Sequence, residues 1–238
     1  MKNILLIGAS RGLGHAFNLG LPEQGDSIWL VSRGQPQLEA ADGVTRRWLK
    51  IDLAESGAAQ KIAAALNGQR LDALIYNAGI WEANAFGAGY DFERVSQAEN
   101  ERILTVNLTA AIHCVQALLP NLRQSANGKI ILVGSISGLE NTSAREVAYN
   151  ASKFGLRGAA HALRENLRAD GIGVTVINPG TIATQEDYTV NAETVAQKYS
   201  GSEIPMQDLV ALVKCILSLS PATVVKEIDV PALGDRWV

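Results

Sequence analysis

A tyrosine and a lysine four residues apart, Tyr149 and Lys153, are the pair in this sequence best suited to proton transfer. If their segment is helical, this spacing places the two side chains about one turn apart on one face. A free tyrosine has a pKa of roughly 10, and a neighbouring ammonium group lowers that pKa because it favours the phenolate. A pKa of about 7 needs roughly 4 kcal/mol of stabilisation, of which one lysine supplies part. The pair alone is a weak signal, since a buried ring beside a solvated lysine shows the same spacing.

Short apolar runs alternate with helical patterns along the whole chain and must position this pair. The runs predict strands at 4–7, 28–31, 71–76, 130–133 and 174–177, with a last strand at 227–230. Residues 46–51 alternate charged with apolar side chains, as an edge strand would. No linker, repeat or low-complexity segment interrupts them. We therefore expect one α/β domain over residues 1–238, a Rossmann fold with a doubly wound, mostly parallel seven-stranded sheet and helices on both faces. Ligands should bind at the carboxyl ends of the strands, under a substrate lid at about 183–205.

The first strand leads directly into a glycine-rich turn that contains Gly8, Gly12 and Gly14. The first glycine suits a tight turn, the second lets backbone approach a pyrophosphate, and the third lets the next helix pack on the strand. The amino end of that helix would then face the phosphates. The spacing is G-x-x-x-G-x-G and not the common G-x-G-x-x-G, but its place after a first strand favours dinucleotide binding.

Polar or small residues also follow the third and fourth strands. Asp52 either accepts a hydrogen bond from an adenine amino group or caps the helix predicted over 56–66. The Asn77-Ala78-Gly79 turn either lets a cofactor lie against the backbone or is only a turn. The irregular segment 81–97 is a substrate-side loop or a mobile surface loop. Asn107 interrupts the buried face of a helix predicted over 101–122, where its amide either holds a kink or holds water near a site.

The composition excludes several function classes. Hydrophobic residues make up 47% and charged residues 19% of the chain, as in soluble globular proteins. The formal net charge is −3 and no basic stripe is present, so we expect no nucleic-acid partner. No unbroken apolar run approaches the roughly 18 residues of a membrane span. Cys114 and Cys215 lie in apolar helical patterns without metal-ligand spacing, which predicts buried free thiols and no metal site. Together with the absence of a signal-peptide pattern, this indicates a cytoplasmic protein.

Five motifs follow one another in a fixed order between residues 3 and 185. They are Gly8-x-x-x-Gly12-x-Gly14, Asn77-Ala78-Gly79, Ser135, Tyr149-x-x-x-Lys153 and Pro179-Gly180. In this order they resemble the short-chain dehydrogenase/reductase family, in its compact single-domain branch. The resemblance implies an oxidoreductase that transfers a hydride between a nicotinamide dinucleotide and a carbonyl or secondary alcohol.

The resemblance also implies roles for individual residues. Tyr149 is similar to the family's general acid/base, and Lys153 to the residue that lowers its pKa and binds the nicotinamide ribose. Ser135 resembles the donor that polarises the carbonyl, and Asn107 the residue that holds a water in the proton relay. Cofactor contacts are implied for Gly8, Ser10, Arg11, Gly12, Leu13, Gly14, Arg33, Asp52, Leu53, Asn77, Ala78, Gly79, Tyr149, Lys153, Pro179, Gly180, Ile182 and Thr184, the last two at the nicotinamide carboxamide.

The chain departs from the family pattern at three places. The interval from Ser135 to Tyr149 is slightly long and leaves Ser137 as a rival donor, although flanking glycines favour Ser135. Tyr76 stands where the family often has a second asparagine, a change expected to affect packing only. The tail 227–231 lacks the family's common Asp-Gly-Gly ending and resembles reductases of broad carbonyl or hydroxy-acid substrates, which argues against a role in fatty-acid synthesis.

Two arginines predict that the cofactor is NADP(H). Arg11 lies in the glycine turn and Arg33 follows the second strand, and no carboxylate stands there to claim the ribose hydroxyls. The alternative to an enzyme is an NADP-binding sensor that keeps the fold without the chemistry. By similarity we also expect a homodimer or homotetramer that pairs two long helices of each chain, with Ala159, Ala160 and Ala162 allowing close approach.

Overall fold

A seven-stranded parallel sheet forms the centre of the structure, a computed structural model that describes residues 1–140 and 144–235. The strands are β1 Asn3–Ile7, β2 Ser27–Ser32, β3 Thr45–Lys50, β4 Ala73–Tyr76, β5 Lys129–Val133, β6 Gly173–Pro179 and β7 Glu227–Val230. Their order is β3-β2-β1-β4-β5-β6-β7, and every neighbouring pair is parallel. The chain turns back between β1 and β4, which creates the crevice where such sheets bind ligands. The predicted doubly wound sheet is confirmed.

Helices cover both faces because successive side chains of a strand point to opposite sides. In β1, Leu5 and Ile7 belong to one core and Ile4 and Leu6 to the other. The helices are α1 Gly12–Gly20, α2 Ala58–Leu66, α3 Gln97–Leu104, α4 Ala110–Leu122, α5 Val147–Leu167, α6 Ala192–Lys198 and α7 Met206–Ser218. α2, α4 and α5 pack on the first core, while α1 and α7 pack on the second. β1, β4 and β5 are covered on both faces, which explains their unbroken apolar runs.

The long helix predicted over 101–122 starts earlier and is divided. α3 and α4 are joined by one π-helical turn, Thr105–Thr109, that contains Asn107. Such a turn leaves backbone carbonyls displaced from their usual partners. The buried Tyr76 hydroxyl donates to the Val106 carbonyl at 2.5 Å. Tyr76 therefore does more than fill space, because its phenol satisfies a carbonyl at the π turn.

The stretch Gln97–Leu122 is long and apolar enough to cross a membrane by length and composition alone, with a mean hydropathy of 1.5. In the fold it contacts α2 and α5, and 44% of that apolar window is buried. These contacts are those of a core helix.

The two cysteines differ in exposure. Cys114 is buried in the first core, where burial raises the pKa of its thiol to about 12. Cys215 is exposed on α7, so the prediction that both thiols are buried is wrong for it. Apolar neighbours in sequence do not decide which face of an amphipathic helix a cysteine occupies. The cytoplasmic location stays a prediction.

Candidate active site

The glycine turn after β1 packs directly against the turn after β4. Gly8 has φ +91°, and a Cβ there would lie 2.6 Å from the Ala78 nitrogen. The Asn77 side chain donates to the Gly8 carbonyl at 2.8 Å. A Cβ on Gly14 would lie 1.9 Å from the same carbonyl oxygen. Helix α1 can therefore pack this close to the glycine turn only because residue 14 has no side chain. The Asn-Ala-Gly segment is therefore the partner of the glycine turn and not an isolated turn.

The amino end of α1 is open to the crevice. Arg11 occupies the N-cap position, and its side chain makes no capping hydrogen bond. The first-turn amides of Gly12, Leu13 and Gly14 have no acceptor in residues 1–140 and 144–235. Free first-turn amides are a binding site for phosphate groups, and they fit a dinucleotide pyrophosphate. A Cβ on Gly12 would lie 3.1 Å from Thr184 Cβ, so the loop after β6 closes this end of the crevice.

The loops after β2 and β3 form the outer part of the crevice. Asp52 accepts from the Ala54 amide at 3.0 Å and from Arg102 at 2.9 Å. Burial pushes its pKa up, but these hydrogen bonds and the charge of Arg33 hold the pKa of Asp52 below its usual range. The prediction that Asp52 caps the next helix is wrong, because α2 begins at Ala58 and Asp52 caps a local turn.

Arg11 and Arg33 are both exposed beside this crevice. Neither guanidinium makes a hydrogen bond or ion pair within the described part of the chain. Leu13 and Leu53 are buried in the two cores, so only their backbone groups can face a cofactor. Ser10 lies opposite Gly34, whose Cβ would be 3.9 Å from Ser10 Cβ.

The remaining predicted contacts lie at the carboxyl end of β6 and in the loop that follows it. β6 ends at Pro179, and the Gly180 amide donates to the Val230 carbonyl at 2.9 Å. Ile182 pairs with Ile204 in a parallel bridge. The segment between these isoleucines, which includes α6, therefore leaves and re-enters the fold at one point, as a lid over the crevice would.

Tyr149, Lys153 and Ser135 meet at the carboxyl end of β5. Tyr149 lies in the first turn of α5, and Lys153 Nζ is 5.5 Å from the centroid of its ring. Lys153 Nζ donates to the Val133 carbonyl at 2.9 Å. The Ser135 hydroxyl acts on the Tyr149 phenol in the direction that lowers its pKa, by stabilising the phenolate. Ser137 is also buried, and its amide donates to Ser135 Oγ at 3.1 Å; the effect of Ser135 on the phenol favours Ser135 as the donor.

Burial has the largest effect on the pKa values of Tyr149 and Lys153. It raises the pKa of Tyr149, and the Ser135 hydroxyl opposes that rise, while the carboxylates of Glu146 and Glu82 add to it. Burial also lowers the pKa of Lys153 to about 8. Burial therefore has the largest effect on the pKa of Tyr149, because loss of hydration penalises the phenolate. That Lys153 lowers this pKa stays a prediction.

Asn107 connects the site to the loop after β4. Its amide donates to the Ile80 carbonyl at 2.7 Å and to Ser152 Oγ at 3.0 Å, and its oxygen accepts from the Ile80 amide at 2.8 Å. Ser152 in turn donates to the Tyr149 carbonyl at 2.6 Å. The π turn thus places Asn107 where it holds this loop against the helix that carries Tyr149. A water-holding role for Asn107 stays a prediction.

Two buried carboxylates beside Tyr149 were missed from the sequence. Glu82 Oε1 accepts from the amides of Ala148 at 2.8 Å and Tyr149 at 3.2 Å. Glu146 Oε1 accepts from the Phe86 amide at 2.7 Å. Glu82 lies in an irregular segment without periodicity, and nothing local distinguishes it from a surface carboxylate. Only the fold shows that it is 1% exposed.

A parallel sheet with free helix amides at its switch point defines a dinucleotide-binding Rossmann protein. The short chain dehydrogenase family model matches residues 2–194. The ketoacyl reductase HetN of Nostoc sp. is 31% identical over 234 residues, which cover 95% of this chain and 79% of the relative. A rhamnolipid-biosynthesis 3-oxoacyl-[acyl-carrier-protein] reductase of Pseudomonas aeruginosa is 30% identical over 215 residues, which cover 85% of this chain and 81% of the relative. The chain belongs to the short-chain dehydrogenase family.

Solved structures also share the fold. A metagenomic short-chain oxidoreductase in complex with NADP superposes with a TM-score of 0.74 at 25% identity, over 98% of this chain and 97% of the other.

Proposed function

We propose that the protein is an NADP-dependent oxidoreductase that transfers a hydride between NADP(H) and a carbonyl or secondary alcohol, with Tyr149 as general acid/base. One observation supports the proposal most directly: Tyr149 and Lys153 lie one turn apart on α5, with Lys153 Nζ 5.5 Å from the centroid of the Tyr149 ring, and the buried Ser135 follows β5 at the same edge of the sheet. Membership of an oxidoreductase family supports it.

The residues divide the work of carbonyl reduction. Ser135 donates a hydrogen bond to the carbonyl oxygen and so increases the charge that this oxygen can carry. Tyr149 gives its proton to the same oxygen as it becomes an alkoxide, and its raised pKa keeps that proton in place at neutral pH. Lys153 supplies positive charge beside the phenolate that is left. When bound, the nicotinamide ring supplies or accepts the hydride.

The cofactor would lie along the crevice between the loops after β1 and β4. The free amides of Gly12, Leu13 and Gly14 would bind its pyrophosphate. Arg11 and Arg33 are the exposed cations available to a 2′-phosphate, which supports NADP(H) over NAD(H). The NADP-bound structure noted above supports the same choice.

The test is turnover of a panel of ketones, aldehydes and diketones, followed by the nicotinamide absorbance, in wild type and Tyr149→Phe. We expect Tyr149→Phe to lose about 100- to 10,000-fold in turnover while NADPH affinity and folding are retained, because only the transferable proton is removed. Turnover within a few-fold of wild type would contradict the role of Tyr149. NADPH binding without turnover of any substrate would favour the sensor function.

We further propose that the protein is a homo-oligomer paired through α4 and α5. Large apolar side chains are exposed on or next to these helices, among them Ile112, Val147 and Phe154, each more than 40% exposed. Ala162 is also exposed, whereas Ala160 is buried in the first core and cannot contribute to a contact between chains. The expectation for Ala160 is therefore wrong.

A further inference from the structure

Two aromatic side chains on the loop after β4 cover the ring of Tyr149. The ring centroids of Trp81 and Phe86 lie 6.3 and 5.4 Å from that of Tyr149, and both contacts are edge-to-face. The two rings also touch each other at 5.8 Å. Trp81 is 53% and Phe86 57% exposed, so each presents a free apolar surface. We call this pair the aromatic wall.

Hydrogen bonds join the loop of the aromatic wall to the helix that carries the reacting phenol. The first three amides of α5 all donate to its loop: Val147 to the Tyr90 hydroxyl at 3.1 Å, and the next two to Glu82. In return the Phe86 amide donates to Glu146, the residue before α5. These hydrogen bonds place the loop directly beside Tyr149 and support the substrate-side alternative for this segment.

The backbone of the wall is strained. Phe86 has φ +61°, in the left-handed region that a bulky side chain rarely adopts, and Asn84 has φ +62°. Strain of this kind persists where the surroundings enforce it, and it is concentrated at ligand-binding sites. Here the Phe86 amide donates to Glu146, and the Phe86 ring makes its edge-to-face contact with Tyr149 while it stays more than half exposed.

Two buried carboxylates lie next to the wall, in addition to two cations: Lys153, with Nζ 5.5 Å from the Tyr149 ring centroid, and Arg145, which donates to the Gly87 carbonyl. Glu82 is 1% and Glu146 3% exposed, and Glu82 Oε2 has no hydrogen-bond partner in the described residues. An anionic group placed beside the Tyr149 phenol would meet two buried carboxylates in a medium that screens charge poorly. A neutral substituent would meet no such repulsion.

We propose that Trp81 and Phe86 form the substrate subsite of this enzyme, and that it takes an aromatic or bulky apolar substituent of a neutral ketone or alcohol in preference to a keto acid or hydroxy acid. The inference deepens the proposed function and rests on it. The exposed rings, with centroids 6.3 and 5.4 Å from that of Tyr149, supply the contact surface, and the carboxylates supply the selection against anions.

The kinetic test compares acetophenone, 2-butanone and phenylglyoxylate as substrates for wild type, Trp81→Ala and Phe86→Ala. Phe92→Ala is the matched control, because Phe92 is 53% exposed on the same loop and has no ring contact with Tyr149. We expect each wall variant to lower kcat/KM for acetophenone by at least about tenfold, while 2-butanone and the control change by less than about threefold. Phenylglyoxylate should be the poorest substrate of wild type.

A binding test separates this inference from the proposed reaction. The Kd of 1-phenylethanol and of 2-butanol is measured by calorimetry with the NADP complexes of wild type, Tyr149→Phe and Trp81→Ala. The subsite is supported if 1-phenylethanol binds more tightly than 2-butanol to wild type and to Tyr149→Phe, and if this difference is lost in Trp81→Ala. This result would support the subsite even if no ketone is turned over and the proposed reaction fails. Equal binding of both alcohols, or equal losses for both ketones in the wall variants, would overturn it whatever the activity.

Discussion

Replacement of Glu82 tests whether the loop after β4 controls the catalytic helix. Glu82 Oε1 accepts from two amides in the first turn of α5, and Glu146 at the N-cap supplies no side-chain cap of its own. Glu82→Ala leaves both amides buried without an acceptor, which we expect to cost about 2 to 4 kcal/mol of unfolding free energy. Glu82→Gln keeps a neutral acceptor in place, and its cost should be about 1 kcal/mol.

The same substitution should move the titration of Tyr149. The Glu82 carboxylate is one of the groups that raise the pKa of this phenol. Reduction needs the protonated phenol, so kcat/KM for a ketone falls as pH rises through that pKa. Removing the negative charge in Glu82→Gln lowers the pKa, so the falling limb moves to lower pH. The rising limb of alcohol oxidation should move in the same direction, because that reaction needs the phenolate.

The assays are urea unfolding for stability and kcat/KM across the alkaline range for titration. Glu93→Gln is the control, since Glu93 is an exposed carboxylate on the same loop. An unchanged unfolding free energy in Glu82→Ala would show that its hydrogen bonds do not support α5. A pH profile of Glu82→Gln that stays in place, or moves to higher pH, would refute the electrostatic reasoning.

Three further predictions concern the cofactor crevice and the assembly. The value of kcat/KM should be at least about tenfold higher with NADPH than with NADH, and Arg33→Asp should narrow or invert that ratio; equal values in wild type would show that the arginines do not read the phosphate. Gly14→Ala should lower the unfolding temperature and weaken NADPH binding, because its Cβ would lie 1.9 Å from the Gly8 carbonyl oxygen, and a wild-type melting curve with unchanged affinity would contradict this. Light scattering at micromolar concentration should give a multiple of the chain mass, and a monomer mass would refute the α4/α5 pairing.

The sequence determined the architecture because its signals are local. Short apolar runs predicted most of the strands and an alternation of charged with apolar residues predicted the edge strand at 46–51, and the structure has a strand at every one of the seven positions. The glycines at 8, 12 and 14 predicted the turn after β1 because the close packing there excludes a side chain. The spacing of Tyr149 and Lys153 placed them on one helical face, and the structure confirms that proximity.

The tertiary structure alone decided the environment of that pair. The pKa of Tyr149 depends on burial and on Glu82 and Glu146, of which Glu82 lies 67 residues away in sequence. The sequence offered a kink at Asn107 only as one of two alternatives, and it did not show that Cys215 is exposed, because both features depend on how whole helices pack against the sheet. Spacing in a sequence predicts which side chains share a face, but the pKa and the partners of a side chain are set by atoms that the fold brings from elsewhere in the chain.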